Sequence, residues 1–211
     1  MRLLPLFPLS LVAFPGEKLN LHIFEPRYRQ LVRDCFTDRT LTFGITPYLD
    51  EAVQELGTEM RLLSVEKTHT GGEMDIRTQA VGIFRVQKFY RQAPGKLYAA
   101  GQVEAVTQDD GGRPGIARGN CQAGAPALRG AGPAQAAAGA SPDFQIFDVA
   151  HHIGLSTEQE YQLLGTTAEQ ERQELVREHL ERLLPAVLET ERLKERVRQN
   201  GHLKHLQPLQ F

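Results

Sequence analysis

The side chains able to do nucleophilic or metal chemistry are few, and their spacing does not assemble a reactive site. Cys35 follows Val32 on a helical stripe, where a free thiol packs as a small hydrophobe. Cys35 and Cys121 lie far apart, which gives neither a disulfide framework nor the short ligand spacings of a zinc site, and points to a reducing, intracellular setting. Ser10 and Ser64 fall in strand-like runs, while Ser141 and Ser156 precede helices and serve as caps. Gly16-Glu17-Lys18 lacks both the spacing and the hydroxyl residue of a phosphate loop. His151-His152 sits at a helix end, where a cation is favoured by the dipole, with only Asp148 nearby as a further ligand. His202 and His205 make a loose pair after the last helix. The expectation is a chain with no catalytic residue, no metal and no cofactor.

Binding chemistry is better represented. Glu25-Pro26-Arg27-Tyr28-Arg29 combines the arginine and tyrosine favoured at interfaces. The same residues also suit a structural corner, with Glu25 and Arg27 paired and Tyr28 turned inward. Arg85, between Phe84 and Val86, faces the opposite side of its strand, toward a groove or solvent. Phe14 and Pro15 either line a cleft or belong to the core. A net charge of −2 argues against a nucleic-acid partner, whose phosphates call for a basic face. The opening MRLLPLFPLSLVAFPG is interrupted by Pro5 and Pro8 and reads as strand rather than leader; no apolar run reaches the ~20 residues of a membrane span. A cytoplasmic protein without membrane contact is expected.

The first half must supply the scaffold. Leu19, Leu21 and Ile23 alternate with Asn20, His22 and Phe24, the period of a two-faced strand. From Pro26 to Phe36 the pattern becomes helical, with Tyr28, Leu31, Val32 and Cys35 on one stripe. Leu41 to Pro47 reads as a short strand and Tyr48 to Gly57 as a loop. Met60 to Thr68 and Glu73 to Ala80 form a hairpin across Thr70-Gly71-Gly72, Gly82 marks a bulge before Phe84 to Phe89, and Leu97 to Val106 adds a strand. Six or so short strands with one inserted helix imply a small, partly closed barrel. Gly111 to Ala140 is rich in Gly, Ala, Pro and Arg and has too little to bury to offset its ordering entropy. Its composition fits a genuine linker and equally a GC-rich gene read out of frame over that length. Beyond it, Ser141-Pro142 starts a helix through Phe144, Phe147, Val149 and Ile153 that Gly154 stops. Ser156 and Gln159 form a capping box for a helix ending at Leu164-Gly165, and Thr166 with Glu169 starts a long helix that carries Pro185 and ends at Asn200-Gly201.

One string is far more specific than the rest. LPLFPLSLVAFPGEKLNLHIFEPRYRQLV, residues 3 to 33, followed in order by Phe43-Gly44-Ile45, Glu55-Leu56-Gly57-Thr58, Asp75-Ile76 and Gly82-Ile83-Phe84-Arg85-Val86, resembles the N-terminal substrate-binding domain of Lon proteases, in the stand-alone form found in bacteria. The resemblance implies an α+β fold: a PUA-like small pseudo-β-barrel with an inserted helix over residues 1–107 and, more loosely, a C-terminal helical hairpin or bundle over 141–202; the low-complexity stretch over 108–140 departs from it. It also implies non-catalytic binding of unfolded or tagged polypeptides; from their chemistry, Phe14, Pro15, Glu25, Arg27, Tyr28 and Arg85 are the candidate contacts, and a groove between barrel and helices is the expected site. The expected partner is a polypeptide client, handed to a separate ATP-dependent protease. The alternatives are a PUA-like RNA-binding module and a scaffold that forms a homodimer through its long helix.

Overall fold

Strand alternation and a few obligatory close packings shape the first part of the chain. The computed structural model describes residues 1–37, 39–109 and 145–201, with side chains to 198. The Gly/Ala/Pro-rich stretch, the expected cap at Ser141-Pro142 and His202 with His205 lie outside the described residues. The chain divides into two units, Met1–Arg172 and Gln173–Phe211.

In the first unit seven strands run β1 (Arg2–Leu9), β2 (Lys18–Ile23), β3 (Thr42–Leu49), β4 (Ala52–Val53), β5 (Leu56–Thr68), β6 (Met74–Tyr90) and β7 (Ala99–Val106), with α1 (Pro26–Thr37) inserted between β2 and β3. The sheet order is β1-β7-β6-β5-β3-β4, β2 pairs with β6, and β1 also pairs in parallel with β3. That parallel pairing draws the sheet round into a pseudo-barrel, with an α+β composition as expected. Pro5 and Pro8 are tolerated because β1 meets β7 over Arg2 to Leu6 and β3 over Leu6 to Leu9, so each proline has one neighbouring strand and an open side for its missing N–H.

The long β6 runs unbroken where two strands were expected on either side of Gly82. Its first half pairs with β2, Met74 to Gln79, and its second half with β7, Ile83 to Tyr90. The ladder to β5 slips between Glu59 and Met60, opposite Gly82 and Ala80. The glycine bulge therefore bends the strand from one partner to the other without ending it. The expected loop from Tyr48 to Gly57 contains a tight hairpin instead. Asp50 and Glu51, both at positive φ, join β3 to β4, a turn normally signalled by Asn-Gly or Asp-Gly.

The buried residues among the strands and α1 include two clusters. The larger gathers Phe7, Tyr28, Leu31, Val32, Cys35, Phe43, Ile45, Met60 and Ile76, so the predicted stripe of α1 is its buried face. The smaller holds Leu4, Leu6, Phe84 and Val103. Phe84 dictates its neighbours: a Cβ on Gly44 would stand 2.5 Å from its ring, and one on Gly57 2.6 Å.

The residues after the undescribed stretch differ locally from expectation. Phe147 to Ile153 form two single 3₁₀ turns, Ile146–Asp148 and Ala150–His152, rather than a helix; Asp148 accepts from the Gln145 N–H, and Gly154 at positive φ ends the segment as foreseen. The Ser156/Gln159 capping box forms and begins α2 (Thr157–Gly165). Thr166 does not cap the next helix; it is the C-cap of α2, its hydroxyl donating to the Gln162 carbonyl. Within α3 (Glu169–Gly201), Glu169 instead accepts from buried Arg172 at 2.8 Å. The Arg172 guanidinium also donates to the Thr166 and Thr167 carbonyls and to Gln108, and lies over the Phe147 ring. Among the described residues the C-terminal helical part comprises the nine-residue α2 and the 33-residue α3, which continues through Pro185. In the second unit α3 exposes Leu184, Val187, Leu188, Leu193 and Val197.

Gly44→Ala should destabilise the protein by about 1–3 kcal/mol through overpacking. Phe84→Ala should cost about 3–5 kcal/mol through a cavity. Combining Gly44→Ala with Phe84→Leu should cost clearly less than the sum of the two single changes, since both alter one contact. Urea unfolding of the four variants measures this.

Candidate functional site

The β1–β2 connection carries the first sequence candidates. Phe14 is buried, stacked on Phe147 with ring centroids 5.0 Å apart and flanked by His151 at 4.9 Å. Pro15 beside it is half-buried, and Gly16 turns the chain at a φ of 88°. Glu17 returns to accept from the Phe14 N–H at 3.0 Å. Phe147 thus covers one face of the Phe14 ring. His151 bridges the same corner, with Nδ1 2.7 Å from Glu160 and Nε2 3.2 Å from Glu17. The hydrogen bond to Glu17, joined by that to Glu160, outweighs burial and raises its pKa to about 9. His151 is thus held as a cation between two carboxylates, an arrangement for a structural clamp rather than a metal ligand.

The strand-to-helix corner accounts for three more. Glu25 accepts from Arg27 Nε at 2.8 Å, and its carbonyl accepts the Tyr28 and Arg29 N–H groups that open α1. The Arg27 guanidinium lies 4.5 Å from the centre of the Tyr28 ring. Tyr28 is buried against Phe7 at 3.8 Å, and burial pushes its hydroxyl pKa up. These three residues fix a corner. Arg85, exposed like Arg27, pairs with Glu55 at 3.3 Å. Phe14, Glu25, Arg27, Tyr28 and Arg85 each have a close partner of their own.

A concave surface lies elsewhere, between α1 and the β5–β6 turn. An open cleft of about 530 Å³ is bounded by Pro26, Arg29 and Arg33 on the helix, Thr70 and Gly72 on the turn, and Leu97 before β7. Arg29 donates to the Gly71 carbonyl at 2.6 Å, and Gln30 accepts from the Leu97 N–H at 2.8 Å, so both walls are tied to the helix. Arg33 makes no ion pair among the described residues. The cleft offers cationic donors beside small apolar surfaces and no group poised as a nucleophile. Its sequence signal was Arg29 and Arg33 at i,i+4, one helical turn apart on a shared face. The described residues that could hold a metal are His22, His69 and Asp75.

The family model for the ATP-dependent protease La (LON) substrate-binding domain matches residues 3–122, more than half of the chain. This chain belongs to the Lon substrate-binding domain family. Two solved structures share the fold of this Lon-domain protein. A Lon N-terminal domain protein from Xanthomonas campestris is 23% identical with a TM-score of 0.56, covering 88% of this chain and 98% of that one. The N-terminal domain of Mycobacterium avium complex Lon protease is 13% identical, also at 0.56, covering 85% and 97%. Gly44, Gly57 and Phe84 are architectural in this Lon domain, as is the Glu25-Pro26-Arg27-Tyr28 corner. Among the described residues no helix is long and apolar enough to cross a membrane.

The His151 clamp gives a pH dependence of defined sign. Its pKa rises from 6.5 to about 9 on folding, so its stabilisation is complete below pH 6.5 and is lost as pH climbs through 9. His151→Gln should therefore melt about 2–4 °C below wild type at pH 6, the response of a chain this size to roughly 1 kcal/mol for a partly exposed pair. The gap should close above pH 9, as thermal melts across that range would show.

Proposed function

We propose that this Lon-domain protein is a non-catalytic receptor for extended polypeptide segments, and that the cleft beside α1 is where they lie. The observation that carries this reading is the juxtaposition of Arg29 and Arg33 with Pro26 and Leu97 across one open concavity. Guanidinium groups there meet peptide carbonyls, acidic side chains or a terminal carboxylate, and the apolar pieces take a neighbouring side chain. The two arginines cannot abstract a proton at neutral pH, and the cleft holds no nucleophile for them to activate. Selectivity is then broad: unfolded, apolar-rich segments with an acidic residue bind best. Affinity is modest, because a disordered ligand loses entropy on ordering. The family supports a polypeptide client, and the ATP-dependent protease in the family's description makes a separate protease of that kind the natural recipient.

A second reading has one observation in its favour. The exposed stripe of Leu184, Val187, Leu188, Leu193 and Val197 on α3 suits a helix from a second copy of the chain. Light scattering at micromolar concentration should then give twice the chain mass, falling to the monomer in Leu188→Glu; a monomeric wild type removes the homodimer.

Fluorescent unfolded peptides titrated onto the protein should saturate in the micromolar range. Arg29→Glu/Arg33→Glu should weaken binding by about tenfold or more, equivalent to ~1.4 kcal/mol, while Arg85→Glu leaves it unchanged. No binding by wild type at high micromolar concentration would overturn the reading. Retention of tRNA in place of peptide, lost at higher salt, would move it to the RNA-binding alternative.

A further inference from the structure

His22 and Asp75 are direct partners in the β2–β6 ladder, so their side chains leave the sheet on the same face. His69 reaches that face from the far side of the β5–β6 turn, where its backbone N–H donates to the Glu73 carbonyl at 2.8 Å. Three separate stretches of chain thus deliver two imidazoles and a carboxylate to one spot. His22 Nδ1 lies 2.6 Å from Asp75 Oδ1, and His69 Nε2 lies 2.8 Å from Asp75 Oδ2. Ligand atoms, one from each residue, fall within 4.8 Å of one another, and the rings stand edge to face at 5.6 Å. Glu73 adds a second carboxylate 3.9 Å from His22 Nε2.

The geometry points to a divalent transition-metal site formed by His22, His69 and Asp75, with Glu73 or water completing the shell. Hydrogen bonding alone gives these four residues little net stabilisation at a surface. One cation that replaces the shared protons would satisfy both rings and the carboxylate together. Two imidazole nitrogens with carboxylate oxygen select zinc and its neighbours, nickel, copper and cobalt; calcium and magnesium take oxygen ligands almost exclusively. A tetrahedral ion with bonds of about 2.0–2.1 Å draws its ligand atoms to roughly 3.3 Å apart. Small side-chain rotations cover that change, closing the wider spacings and opening the 2.6 and 2.8 Å contacts, because the backbone positions are already set by the ladder and the hairpin. His22 is about half exposed, with 51% of its side chain open, so the ion can enter without unfolding.

The site stands independently of the peptide cleft, yet it touches it structurally. Thr70, Gly71 and Gly72, which wall the cleft, lie on the turn between His69 and Glu73. A bound ion would pin both ends of that turn and tie it to β2.

Untagged full-length protein dialysed against Zn²⁺ should take up one equivalent and melt at a higher temperature, while Mg²⁺ and Ca²⁺ at equal concentration change neither. Co²⁺ should give the intense visible absorption of a low-coordinate nitrogen and oxygen site. His22→Ala and His69→Ala should each weaken Zn²⁺ binding by about tenfold or more, and the double variant should abolish it, while His151→Gln keeps full uptake. Asp75→Asn, which keeps the shape of the side chain, should weaken binding similarly and guards against a double variant that fails to fold. Absence of uptake by wild type at about 100 µM Zn²⁺ would overturn the site, as would undiminished uptake by the folded His22→Ala or His69→Ala protein.

Discussion

Room for a single aromatic ring governs the pseudo-barrel. Phe84 occupies the space that two side chains would fill if Gly44 and Gly57 carried a Cβ, and Leu6 closes the same pocket against Gly44. The three residues sit on β3, β5 and β6, so their mutual fit sets how closely those strands curl together. Once they do, β3 lies where β1 can pair with it in parallel, and the sheet wraps. Interiors at crystal-like density leave no slack for adding a methyl group here. The recurring Phe-Gly-Ile, Leu-Gly-Thr and Gly-Ile-Phe strings are thus one packing event written in three places.

Local features of the fold were legible because their causes are local. Alternation at Leu19, Leu21 and Ile23 gave β2, the stripe Tyr28, Leu31, Val32 and Cys35 gave the buried face of α1, and Ser156 with Gln159 gave a helix start. The turn at Gly71-Gly72 followed from positive φ. Features set by distant partners were not legible. Nothing near Gly82 reveals that β6 continues past it, because the exchange of β2 for β7 depends on strands far along the chain. The Asp50-Glu51 turn carries no glycine to announce itself. Thr166 and Glu169 have the spacing of a capping box, yet Arg172 competes for Glu169 and α2 claims Thr166.

The candidate site divides along the same line. Residues picked for their type, Phe14, Glu25, Arg27 and Tyr28, proved to be fastened to neighbours, since aromatic and paired charged groups are what corners and cores also require. The cleft joins α1 to a turn some forty residues later, and the His22, His69 and Asp75 cluster spans a similar separation. No window along the sequence contains either. Both rest on the β5–β6 hairpin and what it lies beside.

Glu169 does more than hold Arg172. The Asp109 carbonyl accepts the Glu169 N–H at 3.0 Å, and the Glu169 carboxylate accepts the Ile146 N–H at 3.4 Å, so the residues bordering positions 110–144 are moored to one point. Glu169 thereby joins the residues that follow β7 to the 3₁₀ turn at Ile146 through one position of α3.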